Sequence, residues 1–118
     1  MVEKYFLNQE QAIKIHKLGF NEPCLMYWDN KGDIKPHTPP HFSKNGIFIS
    51  TPMIDQFLEW CGKEHNIHGF LEIYEQGWAY SLVYEEYEFF SGTVYGSRLE
   101  ATNSLILDLV KKIEKLSL

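Results

Sequence analysis

Two pairs of histidines have the spacing of metal ligands: His37 with His41, and His65 with His68. Histidines three or four positions apart can chelate zinc if a thiolate or carboxylate completes the site, and Cys24 or Cys61 could supply the thiolate. The segment from His37 to His41 contains two prolines and is not helical, so its two rings need not point the same way. Because four ligands must converge on one ion, we expect no metal site and no other cofactor.

Acidic side chains are numerous enough to supply a pair for general acid–base catalysis. The candidates are Asp55, Glu59, Glu64, Glu85, Glu86 and Glu88. A catalytic carboxyl needs a pocket or a neighbour that raises its pKa, and the sequence indicates neither. No serine lies in a G-x-S-x-G elbow, and Ser91-Gly92 lies in a predicted strand, where it is typical of a bulge. We therefore expect a protein that is not an enzyme, and a small metal-dependent enzyme is the second alternative.

Half of the aromatic side chains, nine of 18, lie between Phe70 and Tyr95, where they alternate with polar residues. Tyrosine and tryptophan offer wide, rigid contact areas and dominate protein-binding surfaces, and the neighbouring glutamates suit a basic partner protein. The predicted contact surface is Trp78, Tyr80, Tyr84, Glu85, Glu86, Tyr87 and Glu88. The same rings could instead fill a core, because either face of the middle strand could be the buried one.

Three amphipathic helices are predicted to support this aromatic segment. Asn8 and Gln11 form a capping box at the start of the first helix, which we expect to end at Gly19. Thr51 caps the second helix, whose apolar residues recur with the period of a helix. An S-x-x-E box that begins at Ser97 starts the third helix.

Strands are predicted between the helices. Cys24 to Trp28 is an apolar run before a turn, and Asp33 to Lys35 could pair back with it. The prolines from Pro36 onward limit strand pairing, so Pro36 to Gly46 is predicted to be an irregular loop. Ile47 to Ile49 is a short strand or leads into the second helix. The three strands of the aromatic segment are Ile67 to Glu75, Trp78 to Glu85 and Glu88 to Tyr95.

The resulting element order is α-β(β)-α-β-β-β-α. It lacks the strand-helix-strand alternation that would force parallel pairing, and it predicts an α+β fold in which three amphipathic helices cover an antiparallel sheet. A length of 118 residues without a linker segment predicts a single domain, residues 1–118.

Charge and composition limit the classes of partner. A net charge of −5 opposes binding that depends on neutralising phosphates, so we do not expect nucleic acid as a partner. No apolar stretch approaches the roughly 20 residues that cross a bilayer, and the N-terminal residues lack a secretory signal. Cys24 and Cys61 are not a C-x-x-C pair, and we expect both to be reduced. We therefore expect a cytoplasmic protein with no membrane partner.

Several segments resemble a family of small phage and prophage proteins of gut bacteria. They are Leu18 to Cys24, Asp29 to Gly32, Phe57 to Trp60, Lys63 to Ile67 and a closing helix that starts near Glu100. The similarity runs from the first helix to the C-terminus. The family carries no assigned activity, so the resemblance implies an origin in a mobile element and transfers no functional residue.

A second resemblance covers Thr51 to Leu116, where helix, three strands and helix follow one another as in a double-stranded-RNA-binding domain. Gly96 to Ala101 is similar to the start of that family's last helix, where lysines hold the phosphates of the groove. Here Arg98 is the only basic residue of the segment, and Glu100 stands where a lysine would be expected. The resemblance implies a nucleic-acid-binding module, the alternative function, that would use Arg98, Lys111, Lys112 and Lys115.

We expect a non-enzymatic accessory protein of phage or prophage type that acts through a protein partner. Inhibition or regulation of a host protein would be one form of this activity. An unpaired edge strand would also allow a homodimer.

Overall fold

The computed structural model describes residues 2–43 and 48–116. The chain divides into two compact units, Met1–Phe57 and Leu58–Leu118. The single domain expected from the chain length stays a prediction. No helix of the described residues combines the length and the apolar character that a membrane span requires.

The N-terminal unit contains a short antiparallel sheet with strand order β2-β1-β3. Its elements are a 3-10 turn Val2–Tyr5, α1 Gln9–Lys17, β1 Cys24–Trp28, β2 Ile34–His41, β3 Ile49–Thr51 and the first turn of α2 Ile54–His65. The capping box of α1 is confirmed: the Gln11 amide donates to Asn8 Oδ1 at 2.8 Å, and the Asn8 amide donates to Gln11 Oε1 at 2.9 Å. Ala12 and Ile15 form the buried side of α1.

The C-terminal unit contains a second antiparallel sheet, an up-and-down meander with strand order β4-β5-β6. Its elements are the remainder of α2, β4 Ile67–Tyr74, β5 Gly77–Tyr84, β6 Tyr87–Phe90 and α3 Arg98–Leu116. The predicted α+β class and element order are confirmed, and the strands form two three-stranded sheets. The described residues of the predicted Ile47 to Ile49 segment give β3 at its end, and Ile47 itself lies outside the described residues.

The loop expected at Pro36 to Gly46 is corrected in its first half. Strand β2 runs through these prolines as far as His41, and Gly46 lies outside the described residues. The strand tolerates prolines because it is an edge strand, where a missing N–H removes no bond to a further strand. Its register with β1 shifts between Met26, opposite Pro36, and Cys24, opposite His41, so the intervening residues bulge out of the ladder.

Helix α3 covers one face of the C-terminal sheet. Gly69 of β4 lies so close to the helix that an added Cβ would be 2.9 Å from Leu105 Cδ1 and 3.2 Å from Leu109 Cδ1. Both leucines are completely buried. Burial of each such side chain contributes about 1.5–3 kcal/mol, so this helix–sheet contact is a principal source of stability for the unit.

Candidate functional site

The strand register identifies the side of the sheet that faces α3. Gly69 pairs with Leu82, and Leu71 pairs with Tyr80, so these side chains share the face that Gly69 presents to α3. Trp78, Tyr80 and Tyr84 of β5 lie on that same face. Tyr87 pairs with Tyr84, so all four rings of the predicted contact surface lie on the helix-facing side of the sheet.

Tyr80 is corrected from a contact residue to a core residue. Its side chain is only 5% exposed, and its hydroxyl donates a hydrogen bond to Asp108 Oδ2 of α3. Burial first, and the Asp108 carboxylate second, raise the pKa of Tyr80 above its ordinary value. The hydroxyl thus stays protonated as a donor, and the ring cannot meet a partner without separation of α3 from the sheet.

Trp78 and Tyr84 are partly buried on the same side as Tyr80. The guanidinium carbon of Arg98 lies 5.7 Å from the centroid of the Trp78 ring, within the range of a cation–π contact. Burial, followed by Glu85, raises the pKa of Tyr84. Both rings are therefore only partly available to a partner.

The other predicted contact residues lie together at the turn between β5 and β6. Tyr84 pairs with Tyr87, so Glu85 and Glu86 form a two-residue turn, and Glu85 has a positive φ of 55°. All four residues from Glu85 to Glu88 are exposed, and Tyr87 is 64% exposed. We call Glu85, Glu86, Tyr87, Glu88 and the adjoining Phe90 the hairpin tip.

Phe90 was missing from the predicted surface. It is 66% exposed and stands opposite Ser81, which in turn pairs with Phe70, 51% exposed. These three residues form a row across the face that is turned away from α3. The alternation of side chains in each strand carried this information, but the sequence could not tell which alternate set faces the helix.

The chain segment that contains the hairpin tip is acidic, and a lysine of α3 lies beside it. No lysine or arginine occurs in residues 64–97, which include five glutamates of the two hairpins. The Nζ of Lys112 on α3 lies 4.1 Å from the centroid of the Phe89 ring and is engaged there. The exposed carboxylates and rings of the hairpin tip can bind a basic and partly apolar surface.

The remaining catalytic candidates are surface groups. Asp55, Glu59 and Glu64 are exposed on α2. They lie outside the desolvated setting in which catalytic carboxyls are commonly found.

The histidine pairs do not gather a ligand set. The His37 and His41 ring centroids are 3.9 Å apart, while His65 packs its edge against Trp60 at 4.9 Å. No group of three or more His, Cys, Asp or Glu side chains within residues 2–43 and 48–116 is arranged to hold a metal ion. Cys24 and Cys61 are both buried and unoxidised, and burial raises the pKa of each thiol to about 12. The thiolates that zinc would need are therefore disfavoured.

Instead, His37 is part of the interior of the N-terminal unit. Its Nε2 lies 2.8 Å from the Ser50 hydroxyl oxygen, which also accepts from the Ser43 amide at 2.7 Å, and Ser50 is completely buried. Burial of the ring first, and His41 second, lower the pKa of His37. A serine–histidine contact with no exposed hydroxyl is structural, because no substrate carbonyl can reach the oxygen.

We expect the protein to lose stability as the pH falls below about 6.5, the ordinary pKa of a histidine. Between that value and the lowered pKa of folded His37, the unfolded chain binds the proton and the folded chain does not, so acid favours unfolding. Urea unfolding followed by circular dichroism between pH 8 and pH 5 should show the midpoint falling, and His37→Gln should flatten this dependence. His65→Gln is the control and should leave the pH dependence of the midpoint as in the wild type. An identical pH dependence in the wild type and His37→Gln would assign the effect to other groups.

Comparison of the chain with protein families, with curated proteins and with solved structures gave no match. Its function must be inferred from the charge and geometry of its own residues. In the C-terminal unit those features are concentrated at the hairpin tip.

Proposed function

We propose that this chain is a non-enzymatic accessory protein of phage or prophage type that acts in the cytoplasm by binding a basic protein through the hairpin tip. The observation that carries the proposal is the exposure of Glu85, Glu86 and Glu88 in the same hairpin as the exposed rings of Tyr87 and Phe90. Binding of this kind would inhibit or regulate the partner by covering its basic surface.

The chemistry of the tip suits a positively charged partner. Exposed carboxylates attract cations within the screening length of about 8–10 Å at physiological salt. This attraction speeds the encounter with a basic protein. Exposed aromatic rings then supply the apolar area that holds a complex together once it forms. The two-residue turn fixes the carboxylates on a short rigid hairpin, so little conformational entropy is lost on binding.

Reversal of charge at the tip is expected to abolish partner binding. Glu85→Lys/Glu86→Lys changes two exposed turn residues, so the fold should survive and the attraction to a basic surface should become repulsion. Partners captured from bacterial lysate on immobilised wild type, and then purified, should bind the double variant at least about tenfold more weakly. Titration calorimetry at two salt concentrations measures the change.

A matched control carries the same charge change elsewhere in the C-terminal unit. Glu64→Lys/Glu114→Lys replaces two exposed glutamates that lie outside the hairpins, and it should keep wild-type affinity. Equal loss in both double variants would indicate a response to net charge alone. Equal retention by the wild type and by Glu85→Lys/Glu86→Lys would exclude the tip as the contact.

A second candidate function is binding of duplex RNA by α2, β4, β5, β6 and α3. The order of these elements favours it, because it is the helix–three strands–helix order of a double-stranded-RNA-binding domain. Charge opposes it: Arg98 and Lys112 are each engaged by an aromatic ring of this chain. Affinity for duplex RNA that falls steeply with rising salt, and that is lost on Lys111→Glu/Lys115→Glu, would favour RNA over the hairpin-tip proposal.

A further inference from the structure

Strand β4 has a long free edge. It is the outer strand of the order β4-β5-β6, and no other strand of the described residues pairs with its second side. Natural edge strands are commonly protected by lysine, proline or a bulge. The eight residues of β4, Ile67–Tyr74, contain neither lysine nor proline, and their ladder with β5 is unbroken.

The backbone groups that point to this edge can be assigned. Trp78 and Tyr95 exchange two backbone hydrogen bonds, of 2.9 and 2.6 Å, and the Tyr80 carbonyl accepts from the Ser91 amide at 2.9 Å. These groups of β5 therefore point away from β4. Since bonded and non-bonded pairs alternate in an antiparallel ladder, their partners Ile73 and Leu71 also direct N–H and C=O away from β5. By the same alternation, Ile67, Gly69, Leu71 and Ile73 offer their backbone groups at the free edge.

Ile67 at the start of β4 is completely buried, but several apolar side chains further along the strand are exposed. Ile73 is 72% exposed, the largest value among the exposed large hydrophobic residues of the described chain, and Phe70 and Tyr74 are 51% and 46% exposed. A strand with free backbone groups and uncovered apolar side chains is a template for strand addition.

The positions of His68 and Glu72 indicate a second copy of β4 as the partner strand. In a two-fold symmetric antiparallel pairing of β4 with a second β4, centred on Phe70, His68 stands opposite Glu72 of the second copy. That register also pairs Gly69 with Leu71 and Ile67 with Ile73, so every outward backbone group finds a partner. Centring on Leu71 would place Glu72 opposite Phe70 and leave the carboxylate without a hydrogen-bond donor, and centring on Gly69 would shorten the overlap.

Glu72 supplies an independent observation. Its Oε2 accepts from the Tyr74 hydroxyl at 3.0 Å, whereas its Oε1 is shielded from solvent and has no hydrogen-bond partner among the described residues. A shielded carboxylate oxygen without a donor is costly, and rotation of the carboxylate toward the opposite strand would bring it to an imidazole N–H of the second copy. In this register His68 and Glu72 form a non-hydrogen-bonded pair, the kind in which side chains approach most closely.

We propose that β4 is the interface of a two-fold symmetric dimer of this chain, with antiparallel β4 strands and the axis at Phe70. The two C-terminal sheets then form one six-stranded sheet. The hairpin tips lie at β6, on the opposite edge of each sheet, and stay accessible to another partner.

Two variants test the interface and its register. Ile73→Lys places a charge at an exposed position, so the fold should survive, and sedimentation equilibrium should show Kd for the dimer raised by about 10- to 100-fold. Phe70→Cys brings two thiols together on the axis, where opposite Cα atoms about 4.5 Å apart permit a disulfide. Oxidation at low concentration should therefore give a cross-linked dimer.

Tyr87→Cys is the matched control, since it replaces an exposed ring on the opposite edge strand and should stay uncrosslinked. The native thiols of Cys24 and Cys61 are buried and should not compete. A wild-type monomer at the highest soluble concentration would overturn the proposal. A dimer that survives Ile73→Lys, or that cross-links through Cys at position 87 and not at position 70, would overturn it equally. These outcomes do not depend on whether the hairpin tip binds a basic protein. The charge-reversal variants of the tip test that binding separately.

Discussion

Gly77→Ala is expected to lower the free energy of unfolding by about 3 kcal/mol, through backbone strain and the loss of two hydrogen bonds. Gly77 begins β5 with a φ of +147°, a region that residues with a Cβ rarely adopt. A Cβ there would overlap the carbonyl oxygen of Tyr95, which is fixed by its bonds with Trp78. The chain must release the Trp78–Tyr95 bridge to make room. Urea unfolding at constant protein concentration measures the loss.

Substitutions at two other glycines distinguish backbone strain from overlap with the Tyr95 carbonyl as the cause of this loss. Gly92 also has a positive φ, +71°, but no atom lies within 4 Å of an added Cβ, so Gly92→Ala should cost only about 1–2 kcal/mol of backbone strain. Gly96 has open space and no positive φ, and Gly96→Ala should be neutral or slightly stabilising. If Gly77→Ala were no more costly than Gly92→Ala, the Tyr95 carbonyl would not be a rigid obstacle.

Local sequence chemistry predicted the start of α1 but not that of α2, because Thr51 ends β3 and the helix begins at Ile54. Asn8 and Gln11 identify the start of α1, because a capping box depends on residues only three positions apart. The predicted strands Trp78 to Glu85 and Glu88 to Tyr95 likewise placed a break near Glu86, where the Glu85-Glu86 turn connects β5 and β6. Both features depend on interactions within one turn of chain, which the sequence contains in full.

The direction of the sheet faces could not be predicted in this way. Tyr80 and Ser81 are neighbours in β5, and packing of α3 on the opposite face of the sheet would exchange their roles. The deciding contacts, Gly69 against Leu105 and Tyr80 with Asp108, join residues about 30 positions apart. In addition, β5 is buried at four successive residues, so its own pattern favours neither face.

The extent of β2 was missed for a related reason. Proline weakens a strand only where its N–H would have bonded to a neighbour, and this depends on whether the strand lies at an edge. Edge position follows from the order β2-β1-β3, which requires β1 to pair with both other strands. The composition of the segment Pro36 to His41 holds no information about that order.

The contact between Gly69 and Leu105 determines which face of the sheet α3 covers. Leu105→Ala should lower the free energy of unfolding by about 3 kcal/mol, because Leu105 is completely buried and its loss leaves a cavity beside Gly69. Gly69→Ala alone should cost about 1–2 kcal/mol, since its methyl group would lie 2.9 Å from Leu105 Cδ1 in a packed interior. In the double variant, the new methyl group at position 69 enters the space that the Leu105 side chain leaves. The double variant should therefore be more stable than the sum of the two losses predicts, by about 1–2 kcal/mol.

The control for this cycle is Ile113→Ala, which removes another fully buried side chain of α3. It lies eight residues beyond Leu105, about 12 Å along the helix, so its loss should add to that of Gly69→Ala. Urea unfolding of the six proteins gives both coupling energies. If Gly69→Ala couples to Leu105→Ala and not to Ile113→Ala, the methyl group occupies a defined position under α3, and Phe70 and Ser81 on the adjacent register must face away from the helix. Equal coupling, or none, would mean that α3 does not rest on Gly69, and the assignment of the exposed face would have to be reversed.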